Sequence, residues 1–171
     1  MIDYIANEII LASQELHTNN LSTIASELGY QPILIMNAVF AAEKSGKFVY
    51  VKKKDIIKIS EDVDLDSLVV TEGLIESRDQ IEMFIANQNV LEVDLSTDEL
   101  RGFIPMLPEV QMKVAIRSSK RLATYDITDP KDRDSTYTFV TLKENLDRRF
   151  GEKQFDESKP SKFSRAGKSK K

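Results

Sequence analysis

The chain has 171 residues, 41% hydrophobic and 30% charged, with a formal net charge of −4, which fits one ordinary soluble globular domain or two small ones. It holds no cysteine and a single histidine, His17, so disulfides, thiolate metal sites and cysteine nucleophiles are excluded and most triad chemistry goes with them. No apolar run approaches the ~18 residues of a membrane span and the opening MIDYIANEII lacks a signal peptide's basic residues, so a cytoplasmic protein without membrane contact is expected.

Charge is segregated along the chain. Residues 1–60 hold six acids and six lysines, and every one of those lysines falls between Lys44 and Lys58. Residues 61–99 hold twelve acids against one base, Arg78, whereas the last eleven residues hold five positive charges and no negative one. Only certain faces of such a chain can approach a phosphate backbone.

In chain order, Ile2, Ile5, Ile9, Ile10 and Leu16 predict a first amphipathic helix, with His17 near its C-terminal end in a favourable dipole position. Leu21, Ile24, Ala25 and Leu28 form a second helical stripe, which Gly29 stops in the left-handed conformation. Pro32 suits the first position of a third helix, and Ile35, Val39 and Ala42 carry its stripe to a stop near Ser45 and Gly46. The period then turns β-like over Lys47–Val51 and Asp55–Ser60, with the basic turn Lys52, Lys53, Lys54 between them. The alternating acids of residues 61–66 lack the glycine and distal glutamate of a calcium loop, so they read as a solvated linker, and no metal site is expected.

Residues 67–89 predict a helix carrying Leu74, Ile75, Ile81, Phe84 and Ile85, unless Ser77 caps a helix that follows a short strand. Val90, Leu91, Val93 and Leu95 then read as a short strand. Ser96 with Glu99 makes a capping box for a short helix ended by Pro105 and Pro108. Pro108 starts another helix, running to about Arg121 with Met112, Ala115, Ile116 and Ser119 inward. Two strands follow, Leu122–Ile127 and Ser135–Leu142, around the polar turn of residues 129–134. Lys143–Phe150 reads as a last helix closed by Gly151, and residues 152–171 are too poor in apolar groups to order themselves.

Two short helices joined by a tight turn and followed by a hairpin resemble the winged helix-turn-helix superfamily, most closely over residues 20–60. The same order recurs in the second half. The expected fold is therefore α+β, mostly α: a winged-helix domain over 1–60, an acidic linker over 61–66, a second winged-helix domain over 67–151 and a disordered basic tail over 152–171.

The resemblance implies DNA binding, most often by dimers that regulate transcription or replication, or else service as a protein-interaction module. In such folds the second helix of the turn pair commonly enters the major groove and needs polar or basic outward groups. In the first copy that face offers Gln31, Ile33, Met36, Asn37 and Phe40, which suits protein better than phosphate. Ile33, Met36, Asn37 and Phe40 are therefore the candidate protein interface, unless the helix is rotated to bury Ile33 and Phe40.

The second copy offers Lys113, Arg117, Lys120 and Arg121, able to reach phosphates or guanine. Lys52, Lys53 and Lys54 on the first wing and Lys131 and Arg133 on the second support them. Lys159, Lys162, Arg165, Lys168, Lys170 and Lys171 of the tail add non-specific attraction, and Phe163 among them suits either a base or a partner surface.

The leading expectation is a DNA-binding regulator of transcription or replication. Its first winged helix assembles a homodimer or holds a protein partner, and its second winged helix, wings and tail grip double-stranded DNA. The alternative is a protein-protein interaction adaptor without sequence-specific DNA binding. Without a phosphate loop, a triad order or a metal cluster, no catalytic residue, cofactor or small-molecule substrate is expected.

Overall fold

Helices dominate the computed structural model, an α+β arrangement with two small antiparallel sheets; the structure describes residues 2–148. Helix α1 (Ile2–Leu16) buries Ile5, Ile9 and Ile10, and His17 just beyond it takes a left-handed φ of 53°. Helix α2 (Leu21–Leu28) is capped at both ends. The Asn20 side chain accepts from the Thr23 N–H at 2.8 Å, and Gly29 at φ 78° donates to the Ala25 carbonyl, the left-handed stop that a residue with a Cβ adopts only at a cost. Helix α3 (Pro32–Ser45) opens on its proline and ends at Gly46, φ 77°.

Strands β1 (Phe48–Val51) and β2 (Ile56–Ile59) pair antiparallel, Phe48 opposite Ile59 and Val51 opposite Ile56. Asn20 adds one bridge to Ile56, so β2 lies between Asn20 and β1. Beyond a single 3-10 turn come α4 (Glu72–Val90), β3 (Leu95–Ser96), α5 (Thr97–Phe103), α6 (Glu109–Ser118), β4 (Leu122–Asp129) and β5 (Asp132–Leu142), with residues 143–148 helical. The second sheet has the order β3-β5-β4. Helix, strand or bridge, two helices and a hairpin thus occur twice, and each time the hairpin's second strand is the middle one.

Contacts divide the chain into two compact units, and the division does not fall at the acidic stretch 61–66. The first unit runs to Met83 and resumes over Asp98–Ser119; the second takes Phe84–Thr97 and the described residues from Lys120 onward. Buried polar groups explain why residues 67–83 stay with the first unit. Asn7 donates to the Val69 carbonyl at 2.7 Å and the Thr71 N–H donates to the buried Glu8 carboxylate at 2.8 Å, so the chain just beyond the acidic stretch is fastened to α1. Helix α6 belongs there for a second reason: it packs on α1 and α2, and Gln111 donates to the Leu28 carbonyl at 2.8 Å.

The strand expected over Val90–Leu95 shrinks to Leu95 and Ser96. Helix α4 runs on through Val90, and the chain then reverses through Glu92 at φ 61° while the Asn89 amide holds the Val93 carbonyl. Ser77 lies inside α4, its hydroxyl donating back to the Gly73 carbonyl, so no cap interrupts the helix. The second hairpin is longer than expected: its strands reach Asp129 and Asp132, leaving Pro130 and Lys131 as the turn, with the Lys131 N–H on the Asp129 carboxylate.

In the first unit Ile5, Ile9, Ile24, Leu28, Phe48, Ile57 and Met112 are among the fully buried side chains; in the second, Ile85 and Val140 are buried. Among the described residues no helix is long and apolar enough to cross a membrane.

Candidate interaction surface

The outward face of α3 follows from what the helix buries. Ile35, Ala38, Val39 and Ala42 recur at i, i+3, i+4 and i+7 and are all buried, and this turns the complementary positions 33, 36, 37 and 40 to solvent. Ile33 is 63% exposed, Phe40 65% and Met36 38%, and Asn37 is exposed with them. The rotated helix that would bury Ile33 and Phe40 is not the one adopted. Three large apolar groups and an amide, without a formal charge, make up two turns of the surface.

Beside Met36 opens a cleft of about 360 Å³ between α2, the start of α3 and the hairpin, walled by Leu21, Ala25, Tyr30, Pro32, Ile35 and Tyr50. Asp55 stands at its rim in a left-handed conformation, φ 54°. Its carboxylate accepts from the Ser22 hydroxyl, from the Ser22 N–H at 3.3 Å and from the Tyr50 hydroxyl at 2.8 Å, while its carbonyl takes the Leu21 N–H at 2.9 Å. The Ser22 hydroxyl and then Tyr50 hold the Asp55 carboxyl below its ordinary pKa, and the same bond raises the Tyr50 phenol. The hairpin turn is thereby fastened to the N-terminus of α2, where a carboxylate also meets the helix dipole.

Behind the turn between α2 and α3, the Tyr30 hydroxyl donates to Glu8 at 2.5 Å. Burial, and after it this bond, pushes the Tyr30 phenol up from 10.0 to about 12.

The cations expected to meet nucleic acid are distributed over both units. Lys52, Lys53 and Lys54 are exposed at the first hairpin turn, and none of them forms an ion pair among the described residues. On α6 the stripe is present but engaged: Lys113 pairs with Glu109 at 3.3 Å and Arg117 with Glu15 of α1 at 3.5 Å. That helix is also buried on more than one side, through Val110, Met112, Val114, Ala115 and Ile116.

Lys120, Arg121 and Lys131 belong to the second unit and are exposed. Its hairpin turn is not predominantly basic, since Asp129, Asp132 and Asp134 surround Lys131. The side chain of Arg133 and the tail residues Lys159, Lys162, Phe163, Arg165, Lys168, Lys170 and Lys171 lie outside the described residues.

Sequence reasoning did not find the cleft or its Asp55 latch. The only local sign is an acid directly behind three lysines. The Glu109–Lys113 pair has helical spacing and is readable from sequence; the Arg117–Glu15 pair, 102 residues apart, is not. Comparison with protein-family models, curated proteins and solved structures finds no match for this chain.

Proposed function

We propose that this protein is a protein-interaction adaptor built on a winged-helix plan, with α3 as its docking element. The plan is supported by the repeated order of helices and strands and by the place of each hairpin's second strand, β5 between β3 and β4 and β2 between β1 and the Asn20 bridge. The observation that carries the docking reading is the exposure of Ile33 and Phe40, at 63% and 65%, on two turns of α3 that hold no charged residue. Covering such side chains with protein is worth about 1.5–3 kcal/mol each by area. Laying them on DNA forgoes counterion release, the main source of affinity there.

The decisive measurement is retention on duplex DNA at ~50 mM salt. An adaptor of this kind is not retained. Affinity that falls steeply with salt, and that Lys53→Glu with Lys54→Glu weakens, would overturn the proposal. It would establish instead the second reading, a DNA-binding regulator of transcription or replication, which the exposed lysines of the first hairpin turn favour.

A further inference from the structure

Resting on the docking reading, we propose that the cleft between α2, α3 and the first hairpin receives an arginine side chain of the partner protein. Its aliphatic stem lies against Leu21, Ala25, Pro32, Ile35 and Met36, and its guanidinium meets the Asp55 carboxylate. At about 360 Å³ the opening stands near the lower end of the ~300–1,000 Å³ of ligand sites, which suits one long side chain. Its lining is of two kinds: those five apolar residues, and the hydrogen-bonded group of Ser22, Tyr50 and Asp55. An occupant therefore needs both an apolar length and a polar end.

The sign of that end follows from Asp55. Its Oδ2 accepts from the Ser22 hydroxyl and N–H, and its Oδ1 from the Tyr50 hydroxyl. A carboxylate offers about four acceptor positions, so Oδ1 keeps one more. Three donors already fix the group, and a cation can meet it without first ordering it. The Ser22 hydroxyl and then Tyr50 also hold the carboxyl below its ordinary pKa, in its charged form. Yet among the described residues no lysine or arginine forms an ion pair with it, although Lys52, Lys53 and Lys54 directly precede it.

Arginine suits this place better than lysine, because a guanidinium is planar, weakly hydrated and able to stack on aromatic rings, and Tyr30 and Tyr50 both line the cleft. The three exposed lysines set a further condition on the partner: acids must flank its arginine, since like charges brought together at an interface oppose docking.

The probe is Nα-acetyl-arginine methylamide, titrated into the isotope-labelled full chain and followed by NMR. Amide resonances of Ser22, Ala25, Met36, Tyr50 and Asp55 should shift together and saturate with a Kd of about 1–10 mM, the strength of a single side chain. The neutral isostere, Nα-acetyl-citrulline methylamide, should bind at least about 10-fold more weakly, because it cannot make the charge-assisted bond. Ala25→Leu fills the apolar part of the cleft without touching the carboxylate and should abolish the shifts, and Asp55→Asn should weaken arginine to the citrulline level.

The absence of saturable shifts in the wild-type chain overturns the inference, as does their persistence in a folded Ala25→Leu variant. So does a citrulline or leucine analogue that binds as tightly as arginine, the leucine result meaning a purely apolar occupant. Equal binding of the lysine analogue overturns the choice of arginine. All of these are read without DNA present, so the cleft proposal and the adaptor reading can fail separately.

Discussion

Helices α3 and α6 are built alike and present different surfaces. A proline marks the start of each, each buries an aliphatic stripe, and both belong to the first compact unit. On α3 the side left over is apolar and open. On α6 it is charged, and its cations are already met by Glu109 and Glu15. A row of lysines and arginines in a sequence therefore measures formal charge rather than charge available to a ligand, whereas an uncharged stripe remaining exposed after the core is filled has no internal use.

The strongest way to break this comparison is to remove the packing that places α6 beside α1. Met112 is fully buried, and Met112→Ala should cost about 2–5 kcal/mol in urea unfolding. Amides of α3 should lose hydrogen-exchange protection together with those of α6, since both helices pack on α1. Unchanged protection in α3 would mean that the two do not share a cooperative unit.

Tyr30→Phe leaves a buried acceptor on Glu8 without its donor and should cost about 1–3 kcal/mol at pH 7. The raised Tyr30 pKa sets the sign of its pH dependence: folding favours the protonated phenol, so the contribution is complete below pH 10.0 and is lost as the pH climbs toward about 12. The stability difference between wild type and Tyr30→Phe should therefore narrow over that interval, and a constant gap would argue against the Glu8 bond. The smallest effect is expected on α6 itself, where Arg117→Gln removes a half-exposed ion pair and should change stability by no more than about 0.5 kcal/mol. A larger loss would mean that the α6 charges are structural rather than merely satisfied.

Much of the first unit was legible because its punctuation is local. Gly29, Gly46 and Pro32 mark where helices must stop or start, and the spacing of Ile35, Val39 and Ala42 alone determines which side of α3 is left over. The course of residues 90–93 was not legible, since Val90, Leu91 and Val93 look like a strand, and only the left-handed Glu92 and the Asn89 amide show that the helix ends there by a turn. Nor was the membership of α6 legible. It depends on contacts such as Gln111 with the Leu28 carbonyl, 83 residues apart, which no periodicity announces. The cleft escaped notice for a similar reason: Leu21 reads as part of a helical stripe, Pro32 as a helix start and Tyr50 as part of a strand, and only the fold sets them around one opening.

The three lysines of the first hairpin turn run directly into Asp55, whose carboxylate and carbonyl are both bound to the start of α2. Those cations therefore do not ride on a swinging arm. They are held in one block with Ile33 and Phe40, and any surface that engages both must present its acidic and greasy patches at a single preset spacing.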